Sequence, residues 1–253
     1  MRAVRSIATI ALCLCVALVL VVAQGCSKPS TDTGGVAPTK PTVPKGPTTK
    51  TAETASAAKA GAAGATTESQ PKLALGTTLG NLQAAYNGES NASARYAEFA
   101  KKADEEGYKA VAVLFRAASR SEEIHANNHG KAIVKLGGNP TADVKPADVK
   151  STKENLEAAI KGESYEVATM YPGFLEVAKT DKNADAIRSI NGALKAEVEH
   201  QKLYAEALAN LDAWKTVTAS IWVCPVCEFT VKDPAPAKCP VCSTDRAKFE
   251  EFK

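Results

Sequence analysis

Aromatic side chains are scarce in this chain: six Phe, six Tyr and two Trp make up 6% of it. That scarcity excludes a large aromatic-rich core. Charge of one sign is also lacking, because 31 Lys and Arg stand against 28 Asp and Glu. A surplus of three positive charges is too small to point to nucleic acid or an acidic surface as the partner. Histidine occurs three times and cysteine seven times. An odd number of cysteines excludes a fully paired disulfide framework. The length of 253 residues suits one large or two small domains.

Arg2 and Arg5 precede an apolar run from Ile7 to Ala23, followed by Gln24, Gly25 and Cys26. A charged start, a short apolar stretch and small residues before a cleavage point are the marks of a secretory signal, here residues 1–25. A transmembrane anchor is the alternative, since the run approaches the ~17-residue lower limit for spanning. Val22 to Cys26 resembles a bacterial lipobox, with Ala23 where that pattern usually has Leu. The resemblance implies cleavage before Cys26 and lipid on its sulfur. Either reading places the rest of the chain outside the cytoplasm, tethered to a membrane in the periplasm or cell envelope. Residues 27–72 hold ten Thr, six Pro and no aromatic residue. Such a segment buries too little apolar surface to offset its chain entropy, so 26–72 reads as a lipidated cysteine and a disordered tether. As a flexible coil its ends would sit roughly 35–40 Å apart. Residues 1–25 carry +2 and 27–72 carry +3, leaving −2 for 73–253.

From Leu73 onward helical periodicity takes over. Leu82, Ala85, Tyr86, Glu89, Ser93 and Tyr96 lie three or four apart, on one face of a first helix. Val111, Leu114, Phe115, Ala118, Glu122 and His125 mark a second helix, and Leu156, Ile160, Glu163, Val167, Met170 and Phe174 a third. Ile187, Ile190, Leu194, Glu197, His200, Tyr204 and Leu208 mark a fourth. Short turns at 106–108 and 180–183 make two antiparallel hairpins, and residues 137–150, with Gly, Pro and Asp, form a crossover. The fold expected over 73–215 is a four-helix bundle.

An internal repeat supports this division. Residues 81–90 match 155–164 at seven of ten positions, and the Glu122/His125 pair recurs as Glu197/His200, one residue further on. Two such hairpins packed face to face bring matching residues to one place. Glutamate is normally a solvated-face residue, yet Glu89, Glu122, Glu163 and Glu197 sit inside apolar stripes. Burying carboxylates together is costly unless positive charge accompanies them. One Glu from each of two helices plus Glu-x-x-His from the other two is the ligand set of a carboxylate-bridged di-iron or di-manganese site. Glu166 lies where the first copy has Ala92, adding a fifth carboxylate. His129 could face the same way, but Asn127, Asn128 and Gly130 surround it with helix-ending chemistry, so a surface position is expected.

Residues 216–253 read as a separate small unit. Cys224-Pro-Val-Cys227 and Cys239-Pro-Val-Cys242 can present four thiolates to one tetrahedral metal, either zinc or a single iron. Disulfides are the alternative in an exported protein. Trp222, Phe229, Phe249 and Phe252 can supply its core, and it depends on its metal to fold.

From Leu73 to the C-terminus the chain resembles the rubrerythrin family. The resemblance rests on Gly88-Glu89-Ser90, Glu122-x-x-His125, Gly162-Glu163-x-x-Glu166, Met170-Tyr171-Pro172, Glu197-x-x-His200 and the four cysteines. It implies a mainly α, ferritin-like bundle with a non-haem di-iron centre, followed by a rubredoxin-like domain with one iron. It further implies reduction of hydrogen peroxide to water, usually in a homodimer whose rubredoxin-like centre feeds the partner's di-iron site. Carried over by motif, Glu122 and Glu197 would bridge the irons, with Glu89 and Glu163 as terminal ligands and His200 on the second iron. Glu166 and His125 would exchange on the first iron upon reduction, and Tyr96 and Tyr171 match tyrosines flanking the site. Rubredoxin knuckles usually carry Gly after the second cysteine of each pair, where φ tends to be positive. Glu228 and Ser243 stand there instead, which bears on iron against zinc. Export implies an extracytoplasmic electron donor that the sequence does not name. An iron-binding ferroxidase without peroxide turnover, or an electron-transfer module, are the competing functions.

Overall fold

The computed structural model of the protein describes residues 75–253, so the export segment, Cys26 and the tether lie outside the described residues. Helix α1 spans Thr78–Glu105 and α2 spans Lys109–Lys135. The third helical stretch is α3 (Thr152–Tyr165), a π-helical turn (Glu166–Met170) and α4 (Tyr171–Thr180). Helix α5 spans Ala184–Ala209. Three short strands follow, β1 (Ile221–Val223), β2 (Thr230–Lys232) and β3 (Glu250–Phe252), in an antiparallel sheet of order β2-β1-β3. The expected four-helix bundle with a small C-terminal unit is the fold observed. None of the described helices is long and apolar enough to cross a membrane.

Local chemistry starts each helix where its sequence allows. Thr77 accepts from the Gly80 N–H, Asn183 from the Ala186 N–H, and Ser151 forms a reciprocal capping box with Glu154. The turn between α1 and α2 closes on Gly107 at φ 81°, and the equivalent turn closes on Lys182 at φ 54°. Thr78 at the start of α1 donates to Asp181 in the second hairpin's turn (2.6 Å), while the Thr152 N–H donates to Glu106 in the first hairpin's turn (2.8 Å). The two hairpins therefore hold each other by matching ties at opposite ends.

The third helix departs from the uninterrupted one expected. It consists of 14, 5 and 10 residues, one more than the 28 of α1. The extra residue is absorbed in the π turn, where the Tyr171 N–H reaches the Glu166 carbonyl five residues back. This explains why the repeat offset changes from 74, at Glu89 and Glu163, to 75, at Glu122 and Glu197. The crossover runs along α1 on a ladder of amides spaced four apart. Gln83 Nε2 reaches Thr141 Oγ1 (3.2 Å), Asn87 Oδ1 accepts from the Asp143 N–H (2.8 Å) and Asn91 Oδ1 from the Lys145 N–H (2.9 Å).

The bundle core divides into two apolar clusters. One contains Tyr96, Phe99, Leu114, Phe115, Leu156 and Tyr204; the other contains Leu82, Ile133, Tyr171, Phe174 and Ile190. On every helix the candidate ligands fall between the segments that build these clusters. Within the apolar stripe of α1 it is Ala92 that is buried, while Ser93 is half-buried and exchanges hydrogen bonds with Ser119.

The C-terminal unit has its own core and also packs directly on the bundle. Alternation along β1 sends Ile221 and Val223 into the first bundle cluster, joined by Trp214 and Ala219. Phe252 packs against the same cluster, and Arg120 of α2 grips Glu250 with two bonds of 2.8 Å. Cys224, Cys227, Cys239, Ala235 and Phe249 make the unit's own core, with Trp222 and Phe229 against it.

Candidate metal centres

Two quartets of buried side chains meet in the middle of the bundle. Glu89, Glu122, His125 and Glu197 form the first; Glu122, Glu163, Glu197 and His200 form the second. In each quartet the ligand atoms lie within 4.8 Å of one another, and Glu122 and Glu197 belong to both. His125 Nδ1 lies 2.6 Å from Glu122 Oε2 and 2.9 Å from Glu197 Oε1. His200 Nδ1 mirrors it, 2.8 Å from Glu197 Oε2 and 3.3 Å from Glu122 Oε1.

Glu89 Oε2, both Glu122 oxygens, both His125 nitrogens and Glu197 Oε1 are buried and, despite these short approaches, none of them makes a hydrogen bond of acceptable angle. Buried polar atoms are nearly always partnered, so this set fits a site built for cations rather than for hydrogen bonds. The electrostatics agree. Burial pushes Glu89, Glu163 and Glu166 well above the usual carboxylate range, and neighbouring acids push further. Burial opposes ionisation of Glu197 as well, but His125 and His200 outweigh it and hold the carboxyl low. Burial likewise works against charge on His200, yet Glu197 and Glu122 raise it to about 9. Bound cations would replace the protons that this acid cluster otherwise attracts. Its oxygen-rich ligand set with two imidazoles suits iron or manganese.

The flanking tyrosines cross over between the hairpins. Tyr96 donates to Glu163 Oε1 (2.6 Å), and Tyr171 donates to Glu89. Tyr171 lies eight residues after Glu163, where Tyr96 lies seven after Glu89, and the π turn absorbs the difference. Glu166 stands half-buried beside the site and in neither quartet.

The four cysteines converge with ligand atoms within 4.8 Å of one another. All four are free, with Cys224 Sγ 3.6 Å from Cys242 Sγ and Cys227 Sγ 3.4 Å from Cys239 Sγ. Those separations exceed a disulfide bond of ~2.05 Å and suit thiolates around one metal. The Cys227 thiol beside it pulls Cys224 down to about 5. Glu228 and Ser243 adopt φ of 67° and 63°, the left-handed backbone usually left to glycine.

Glu228 is a functional feature of the docking that the spacing of cysteines did not reveal. Its side chain is buried, accepts a hydrogen bond from Asn128 of α2, and lies against Gly192 of α5. A Cβ at Gly192 would sit 2.9 Å from Glu228 Oε2, so only glycine leaves the notch open. Burial raises Glu228 to about 7. The Glu228 carbonyl accepts from Ser121 and from Thr230, both at 2.9 Å, and Thr230 Oγ1 is 3.0 Å from His200 Nε2. The cysteine site thus touches the histidine layer of its own chain.

His129 is the clear correction to the sequence reading: it is fully buried, not at the surface. Helix α2 continues past Asn127, Asn128 and Gly130 to Lys135, because packing of Ala132 and Ile133 in the second cluster overrides weak helix propensity.

The family profile described as Rubrerythrin matches residues 80–208, and that of the rubrerythrin rubredoxin-like domain matches 222–250. Rubrerythrin-2 of Clostridium acetobutylicum is 36% identical over 174 residues, covering 68% of this chain and 94% of that protein. Nigerythrin of Nitratidesulfovibrio vulgaris is 34% identical, covering 72% of this chain and 89% of that one. The structure of fully reduced, all-ferrous nigerythrin superposes with a TM-score of 0.68 at 32% identity, covering 73% of this chain and 91% of its own.

Proposed function

Because this chain belongs to the rubrerythrin family, we propose that it reduces hydrogen peroxide to water inside the bundle, with electrons relayed by the four-cysteine site. The observation that carries this reading is the sharing of Glu122 and Glu197 between two buried quartets. Two irons held there would supply the two electrons that one peroxide takes up, and a cysteine-bound iron would replace them. The protein's own residues set the conditions for this. Glu122 and Glu197 would hold the pair together, Glu89 and Glu163 would close its two sides, and His125 and His200 would complete the ligands. His125 stands within the first quartet and Glu166 outside both, so His125 would be the ligand on that side and Glu166 the carboxylate that could exchange with it. Cys227, the Glu228 carbonyl, the Thr230 hydroxyl and His200 make a short bonded path between the two centres of one chain. Tyr96 and Tyr171 orient the terminal carboxylates.

Stopped-flow mixing of the anaerobically reduced, iron-loaded protein with peroxide tests the reading. Fast oxidation of the di-iron centre with steady peroxide consumption is expected, and a Glu122→Ala variant should lose it. Oxidation no faster than in that variant would sink the proposal, and accumulation of ferric iron without peroxide turnover would favour a ferroxidase. We further propose that the protein works outside the cytoplasm, anchored through lipid on Cys26 and supplied by an extracytoplasmic donor. A mature chain beginning at a diacylated Cys26 in mass spectrometry is the expected result, and an intact Met1 would refute it.

A further inference from the structure

His129 lies one turn beyond His125 on the inner face of α2 and belongs to neither quartet. Both of its nitrogens are partnered. Nδ1 is 2.8 Å from Ser189 Oγ, and Nε2 is 3.1 Å from the Tyr171 hydroxyl. Tyr171 has one proton to give and gives it to Glu89. Toward His129 it can therefore only accept, so Nε2 carries the ring proton and Nδ1 accepts from the Ser189 hydroxyl. Burial pushes His129 down to about 3, so the ring is neutral and has the one donor and one acceptor this arrangement needs. All three donors point the same way, toward Glu89. At the outer end Ser189 is half-buried and lines a cavity of about 410 Å³ with Asn128, Arg188, Cys227 and Glu228.

The other hairpin supplies the contrast. Tyr204 occupies the place equivalent to His129, and its buried hydroxyl has no hydrogen-bond partner. Its ring packs 5.3 Å from Phe115 and 5.6 Å from Tyr96, centroid to centroid. On that side the tyrosine and glutamate pair ends in apolar packing.

We propose that Ser189, His129 and Tyr171 form a one-sided proton wire leading from the cavity to Glu89, with His129 as its middle relay. The inference rests on the peroxide-reductase reading. One peroxide needs two protons with its two electrons to give two waters, the electrons coming from ferrous iron. In one passage the Ser189 hydroxyl proton moves to His129 Nδ1 as the Nε2 proton moves to Tyr171. The Tyr171 proton moves to the Glu89 carboxylate and from there to a peroxide oxygen. Water in the cavity reprotonates Ser189, and His129 resets by turning its ring, which carries the N–H back to the Tyr171 side.

The test uses the iron-loaded full chain, reduced and mixed with peroxide in H₂O and in D₂O. Glutamine can bond at both ends of the gap but cannot pass a proton between them. His129→Gln should therefore slow oxidation by roughly 10²-fold with iron content and the cysteine-site spectrum unchanged, and should alter the solvent isotope effect. Tyr204→Phe should leave both unchanged. A His129→Gln variant that keeps the wild-type rate and isotope effect overturns the wire. Nitrogen-15 shifts of the zinc-loaded full chain give an independent readout: a neutral Nε2–H tautomer at His129 is expected, and an Nδ1–H tautomer or an imidazolium overturns the arrangement. If the wild type itself is not oxidised by peroxide, the peroxide-reductase reading fails instead, while the tautomer still decides the hydrogen-bond chain.

Discussion

The two hairpins place the same glutamates and histidines at equivalent points but surround them differently. Around the first, Tyr171 and His129 lead from Glu89 to Ser189 at the edge of a cavity. Around the second, Tyr96 and Tyr204 lead from Glu163 into Phe99 and Phe115. One side is polar to its outer end and the other is apolar. Glu166 against Ala92 adds to the asymmetry, as does Gly192 against Ala117, its equivalent in α2 and fully buried. A duplicated scaffold thus supplies a symmetric ligand cage, and single-residue differences decide which side exchanges protons and where the cysteine unit docks.

Making the halves alike should break specific functions. The largest effect is expected of Glu166→Ala, which copies Ala92 into the second hairpin. Peroxide-driven oxidation should slow by roughly 10- to 100-fold, read by stopped flow, with the cysteine-site spectrum intact. An unchanged rate would remove Glu166 from the reaction.

His129 should also shape acid stability. Its folded pKa is depressed to about 3, below the ordinary value of 6.5, so above pH 6.5 it is neutral in both folded and unfolded chains and its contribution is fully present. As pH falls below 6.5 the unfolded chain binds a proton that the folded one refuses. Stability should then drop by about 1.4 kcal/mol per pH unit from this residue alone, until the folded pKa is passed. Urea unfolding of metal-free protein between pH 6 and 4 should give a slope shallower by that amount in His129→Gln. Equal slopes would contradict the buried neutral imidazole.

A smaller effect is expected at the docking notch. Gly192→Ala copies Ala117 into α5 and drives a methyl group against Glu228, at a cost of about 1–3 kcal/mol in thermal or urea unfolding. Adding Glu228→Gly should recover most of that loss. Additive effects of the two substitutions would show that they do not meet.

Much of the ligand set was legible in the sequence because helix spacing is local. Glu-x-x-His places two side chains on one face whatever the helix packs against, and the repeat at 81–90 and 155–164 announced two copies of one hairpin. His129 was misread because Asn127, Asn128 and Gly130 favour a helix end locally, while Ala132 and Ile133 gain more by continuing the helix into the second cluster. The π turn had left its trace in the step of eight positions from Glu163 to Tyr171 and in the shift from 74 to 75. That trace acquires a meaning only once both tyrosines are seen to face the site. The contact of the small unit with the bundle was not legible, because alternation over three strand residues is too short a pattern to identify a partner surface.

The sequence by itself determined which residues are candidate ligands, how the hairpins repeat and where the four thiolates come from, since these follow from covalent spacing and helical geometry. Only the tertiary structure decided that each tyrosine serves the other hairpin's glutamate, that His129 bridges Ser189 and Tyr171, and that the cysteine knuckle rests on its own chain's bundle. Those relations join groups that are 42 to 107 residues apart, from Tyr171 and His129 to Ser121 and the Glu228 carbonyl. No local rule sets such pairs. They follow from how two apolar clusters pack on either side of a buried layer of acids.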